Sequence, residues 1–428
     1  MKSHRSIHLL IAAVIAMTAA PDTAQDEHPS ARQLADNAAL VYWQAFMAVP
    51  DIPEAHNLAF HRFDAANPSV EIQYIMAKSE PALELLHEAS AMDRAVWNIA
   101  GAQPLKSNVA FLGPAQRLGQ IALIRARIHA AADRSDEAAD DVLAVARMGR
   151  HLAAEPVTSL QIQGRNIQAL AVYTLREMLY KFDEATLRSL IKQIQQLPET
   201  ATPTAMLDRQ IAGLEALAEN LAEAANSESA LRSVFDKHVG EQATDLLFHE
   251  RLPFTIGPDG RNYTLPADTT LRDYYLEGVR ASIDLAREAR QTLAGDNRPD
   301  NMRAFWQQYQ QKAFKTMHEQ YNRVGRLAAI TTGRVSARLG QWTMVEAAAR
   351  HFLSGTDAAE SVRDPRTGNP YKIELEDGWL VVAATAEDHG AALSLPFPTS
   401  DEAATRSGRG WRGHSDRRDD AGRTRDQN

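Results

Sequence analysis

"AQRLGQIALIRARIHAAADRSDEAADDVLAVARMGRHLAAEP", residues 115–156, is the stretch on which the fold turns. Leu118, Ile121, Ala122, Ile124 and Ile128 recur at three- and four-residue steps, and Ala139, Val142, Leu143 and Ala146 do so again beyond "DRSD". That period belongs to amphipathic helices. The reading is two antiparallel helices joined near Asp133 to Asp136. Ala126, Ala130 and Ala139 are small enough to let the pair approach closely. Asp140 and Asp141 are assigned to exposed helix faces. Two carboxylates become acid and base only where a cleft separates their environments.

The same rhythm continues outward. Ser30 is placed as the cap of a first helix over 31–49, ended by Pro50 and Pro53. Ser79 opens a second long helix with Pro81 in its first turn, where the missing amide costs nothing. Leu83, Leu86, Ala89, Val96 and Trp97 outline its apolar face. Two further helices are expected over 157–180 and 183–197. The 115–156 unit resembles a tetratricopeptide-type hairpin. That resemblance implies a helix-hairpin array, or a bundle, across residues 25–200, and a concave face along it.

"LPETATPTA", residues 197–205, is a hinge to a second helical region, 201–355. Helices are expected over 204–225, 227–249, 270–293 and from 300 past 330. Pro258-Asp259-Gly260 predicts a turn between short strands, a β-hairpin inserted at 254–266. Thr343-Met344-Val345-Glu346 has the form of a capping box opening a last short helix. Residues 399–428 are too poor in apolar side chains to offset the entropy of ordering and are expected to be disordered. The fold class is therefore mainly α.

Composition narrows the role. The chain has 428 residues, no cysteine and a formal charge of −9. Disulfides, thiol catalysis and cysteine-ligated zinc are excluded. The charge balance argues against generic nucleic-acid binding, which needs a basic face. Lys2 and Arg5 precede the apolar run "LLIAAVIAMTAA", residues 9–20. A basic start, about a dozen apolar residues and small residues after them predict a signal peptide over 1–24. Export to the periplasm or the exterior follows, with no integral membrane span after cleavage.

Near the C-terminus stands "DPRTGNPYKIELEDGWLVVAATAEDHG", residues 364–390. Asp364-Pro365, Gly368-Asn369-Pro370 and Asp377-Gly378 are turn formers. Tyr371, Ile373 and Leu375, then Trp379, Val381 and, less strictly, Val382, predict a two-stranded hairpin with one packed face. The segment, with "GQWTMVEAAARHF" before it, resembles the C-terminal β region of the major pseudopilins of type II secretion. The resemblance implies a hairpin cap over 356–398, and calcium on oxygen ligands in the last loop. Here that loop reads "AATAEDHG" and leaves Glu387 and Asp388 as the ion candidates. The cofactor expectation is none, with calcium the ion that the resemblance raises.

No GxSxG, P-loop, GxGxxG or HExxH is present. His56 and His61, with Asp51, Glu54 and Asp64 nearby, lack the three or four converging ligands zinc needs. The aromatic residues carry more. Tyr42-Trp43 and Tyr274-Tyr275 place adjacent rings about 100° apart on a helix, so one ring of each pair must leave the deepest core. With Trp306 and Tyr309 they form the candidate binding set. The expectation is an exported, non-catalytic scaffold or binding protein of the cell envelope that takes a peptide or protein partner. The competing reading is an envelope hydrolase using Asp/Glu carboxylates, with a His-bound metal.

Overall fold

The computed structural model describes residues 36–51, 63–97, 110–155, 158–198, 202–239, 269–294, 341–365, 368–376, 378–384 and 392–397, with positions 244, 255–256, 262–263 and 308. Among them the chain is mainly α. The helices are α1 Ala38–Ala48, α2 Val70–Ser90, α3 Leu112–Ala131, α4 Ser135–Ala153, α5 Thr158–Met178 and α6 Glu184–Gln195. They continue with α7 Pro203–Glu223, α8 Glu228–Val239, α9 Leu271–Ala294, α10 Gln341–Ser354 and α11 Thr356–Glu360. Strands β1 Thr255–Ile256 and β2 Asn262–Tyr263 pair antiparallel. Strands β3 Tyr371–Glu376, β4 Trp379–Ala384 and β5 Ala392–Pro396 form an antiparallel sheet in that order.

The α3–α4 hairpin stands where the periodicity put it, and α5 and α6 follow as read. Asp183 caps α6 by accepting from the Thr186 amide at 2.7 Å. Three expected starts move. The cap of α1 is Asn37, not Ser30, and Asn37 Oδ1 accepts from the Ala39 amide. Ser69 caps α2, so Ser79 and Pro81 lie inside it. An interior proline costs about 3 kcal/mol. The helix survives because Ile72, Ile75, Ala82, Leu83, Leu86 and Ala89 form one unbroken buried stripe through it. Val96 and Trp97 are not on that face, because α2 ends at Ser90. Nor does Thr343 cap α10, which already runs at Gln341. Its hydroxyl meets Tyr371 Oη at 2.6 Å, while Glu346 accepts from Gln195 Nε2 at 2.7 Å and Arg350 at 2.8 Å. Tertiary partners take both side chains of the apparent box.

The C-terminal turn forms as predicted. The Gly368 amide donates to the Asp364 carbonyl at 2.7 Å, and Gly368 has φ +73°. On β3 the expected face is the packed one, with Tyr371 buried and Ile373 against the larger core, but on the return strand the opposite face packs. Glu376 pairs with Trp379 and Ile373 with Val382, so Leu380 and Val382 are core residues, while Trp379 and Val381 share the opposite face with Glu374 and Glu376. A two-residue turn reverses the parity of the return strand, and a one-place slip exchanges faces. Leu375 remains 57% exposed at the strand end. The third strand, β5, was not expected; Leu393 and Leu395 alternate into the core from it.

Among the described residues two hydrophobic cores result. The larger joins α1–α6 with α10, α11 and the β3–β5 sheet. The smaller holds Leu214, Leu217 and Leu221 of α7, Leu231 and Phe235 of α8, and Tyr275, Val279 and Ile283 of α9. Thus the expected second helical region divides, because α10 packs with α5, α6 and the sheet. Arg209 Nη1 bridges back from α7 to the Ala154 carbonyl at 3.3 Å.

Candidate functional site

Six charged or titratable side chains meet where α2, α3 and α4 pack. Each helix contributes two, at one- or two-turn spacing: Glu80 and His87, Arg125 and His129, Glu137 and Asp141. Asp141 is at the centre, 1% exposed. This corrects the reading of Asp141 as a surface carboxylate, although Asp140 is exposed. Ala138, Asp141, Val145, Met148 and Leu152 form one buried stripe. The stripe was visible at helical spacing. The misleading signal was an acidic pair on a helix that proves to be buried nearly all round.

Asp141 is saturated with partners. Its Oδ1 accepts from Arg125 Nη2 at 2.6 Å and His87 Nε2 at 2.7 Å, and its Oδ2 from Arg125 Nε at 3.0 Å. The 2.7 Å contact to a carboxylate requires the His87 proton on Nε2. Arg125 Nη2, 3.1 Å from that nitrogen, is then a neighbouring donor and not its partner. Arg125 Nη1 forks onto Glu80 at 3.1 and 3.2 Å. His129 stands 3.5 Å from both Asp141 and Glu137. Burial alone would raise Asp141, but the hydrogen bonds from His87 and Arg125 outweigh it and hold the carboxyl below its usual range. Burial opposes the Arg125 cation, yet Asp141 and Glu80 still raise it. His129 is pushed down by burial despite the attraction of Asp141. A general acid or base needs a pKa near the working pH. A depressed, fully bonded carboxylate instead ties three helices together.

A second constellation is aromatic. Tyr42, Phe46, Trp97 and Phe111 stack with ring centroids 4.9–6.2 Å apart and near-parallel planes. Trp43 caps the outer end edge-on to Phe111 at 4.7 Å. At the inner end Tyr42 Oη meets His151 Nδ1 at 3.1 Å, and Trp97 Nε1 donates to the His151 carbonyl at 3.1 Å. Of the expected binding set, Tyr42 is therefore buried in the larger core, and Trp43 is 37% exposed. One turn on from Trp43, Met47 is 78% exposed. Tyr275 is buried in the smaller core with Tyr274 packed edge-on beside it. Trp306 and Tyr309 lie outside the described residues, as do His56, His61, Glu387 and Asp388. Another exposed aromatic, Tyr173 on α5, carries the Arg176 guanidinium 4.5 Å from its ring centre.

Among the described residues no group of three or more His, Asp or Glu side chains is arranged to hold a metal ion, and no helix is long and apolar enough to cross a membrane. No family model matches the chain, and neither a curated protein nor a solved structure matches it.

Proposed function

We propose that this is an exported, non-catalytic helical scaffold of the cell envelope that binds a peptide or protein partner through apolar contacts on α1. The observation that carries the reading is the exposed Trp43–Met47 pair. The two side chains stand one helical turn apart, and the aromatic stack behind them holds Trp43 in place. Preorganised aromatic and Met side chains are favoured anchors at interfaces. The main carboxylate cluster supports the non-catalytic part, because its acid is spent on Arg125 and His87. Export rests on Lys2, Arg5 and the apolar run that follows them. The turn-and-hairpin likeness to pseudopilins makes the secretion machinery of the envelope a natural setting for the partner.

The test is capture of a partner from envelope extract on the wild-type chain and on a Trp43→Ser/Met47→Ser double variant, with thermal unfolding of both measured alongside. A partner retained by the wild type and lost by an equally stable double variant supports the reading. Equal retention by both, or turnover of a substrate by the purified chain, overturns it. The N-terminal residue of the chain recovered from that fraction, read by mass spectrometry, checks cleavage of the leader.

A further inference from the structure

His151 is 3% exposed on α4 and is the point where three parts of the chain meet. Tyr42 reaches it from α1, Trp97 from the segment behind α2, and Glu155, just beyond α4, accepts from the Trp97 amide at 2.9 Å. The ring lies edge-on to Tyr42 with centroids 5.8 Å apart. Its Nε2 is buried and has no hydrogen-bond partner among the described residues. A neutral imidazole tolerates that setting. A protonated one carries two N–H donors, and here only Nδ1 has an acceptor.

The charged and titratable groups around the ring give the cation little help. Arg147, one turn earlier on α4, opposes it, and Asp93 favours it. Tyr42 offers no anion, because burial raises its phenol well above the ordinary value. Glu155 is engaged with the Trp97 amide. Burial, then Arg147, against Asp93, lowers His151 to about 4.

We propose that His151 is an acid-operated catch whose protonation releases α1 and uncovers the Tyr42–Phe46–Trp97–Phe111 stack. Of the elements on the ring, α1 is the one that yields. Helix α4 is enclosed by α2, α3 and α5, whereas α1 has 11 residues, packs on α2 and α3 through one face (Ala38, Ala39, Val41, Tyr42, Ala45 and Phe46), and is tied at its start by Asn37. Asn37 bonds Val96 in both directions, with Oδ1 accepting at 2.7 Å and Nδ2 donating at 2.8 Å. A helix of that length does not persist alone in water. This device goes beyond partner binding and does not depend on it.

Hydrogen exchange of the full chain, corrected for intrinsic rates, tests the catch between pH 7.5 and 5. Linkage with a folded value of about 4 and an unfolded value of about 6.5 makes opening about 30-fold more favourable at pH 5. Peptides covering 38–48 and 91–97 lose protection by that factor in the wild type, while those covering α9 lose clearly less. His151→Gln, which keeps a partner for Tyr42 but does not titrate, abolishes the loss. His238→Gln, in the smaller core, leaves it intact. Should the glutamine variant fail to fold, an NMR titration of the wild-type histidines replaces it, and the His151 transition must coincide with α1 opening. Loss of protection everywhere at once, no pH response in α1, or an unaltered response in His151→Gln overturns the proposal.

Discussion

Gly149 and Gly164 press their backbones together where α4 crosses α5. A Cβ on Gly149 would come within 2.6 Å of the Gly164 carbonyl oxygen, and one on Gly164 would overlap the Gly149 carbonyl and the Ala153 amide. Both obstacles are backbone and cannot rotate away. Gly149→Ala and Gly164→Ala should each destabilise the fold by about 1–3 kcal/mol through overpacking. Gly119, on α3, is the control: its added Cβ would meet Met148 and Val145 at an ordinary 3.5 Å. Gly119→Ala should be neutral or stabilising by up to about 1 kcal/mol. Urea midpoints of the three variants decide the matter, and equal losses in all three would contradict the close crossing.

The ionic cluster predicts two unequal mutations. Asp141→Ala leaves Arg125 and His87 facing a buried void and should cost about 3–5 kcal/mol. Glu80→Ala removes a partner that is 53% exposed. It should cost no more than about 1 kcal/mol. Denaturant unfolding of both measures the ratio, and a comparable loss would mean that Asp141 is not the keystone.

Stability should fall in acid in two stages. His151 has a folded pKa below its unfolded one, so the unfolded chain binds the proton first and stability drops as pH falls from about 6.5 toward 4. His129, His238 and His351 are lowered by burial too and act in the same direction. Between pH 7.5 and 5 the His151 share is about 2 kcal/mol. Asp141, also lowered, contributes stability present above about pH 4 and lost below it as the carboxyl protonates. Comparing wild type with His151→Gln by urea unfolding at the two pH values isolates the first stage; parallel curves would refute it.

The C-terminal sheet should behave as core and not as an appendage. Leu380 and Leu395 are fully buried in the larger core. Leu380→Ala should cost about 2–5 kcal/mol. Val381→Ala, on the opposite face of the same strand, should cost clearly less. Thermal unfolding of the pair reads which face packs, and the reverse order would restore the face inferred from Trp379 and Val381.

Legibility followed periodicity. Helices α3 to α7 and α9 were readable because their apolar stripes repeat without interruption, and the side-chain caps of α6 and α7 are local. Asp183 is a simple case, since its side chain bonds an amide three residues on. What escaped was whatever depends on a distant partner. Pro81 looked like a helix start, because the stripe that carries α2 through it is rewarded only by packing. Thr343 and Glu346 looked like a cap, because Tyr371 and Gln195 are far away in sequence. Asp141 looked solvated, because its counter-charges come from two other helices. The aromatic pair at 42–43 divided between interior and surface as helical geometry requires, but nothing local indicated that His151 would meet Tyr42.

The position of the β3–β5 sheet also fixes an order of events during synthesis. Residues 38–195 supply most of the larger core, yet its side formed by α5 and α6 is closed by α10 and by Leu380, Val382, Leu393 and Leu395. Those closing residues leave the ribosome roughly 200 residues after α5, some ten to forty seconds later at ordinary elongation rates. For that interval the nascent chain carries an open apolar seam. A chaperone that recognises such seams would meet this protein at α5 and α6, and would let go only when the last strand arrives.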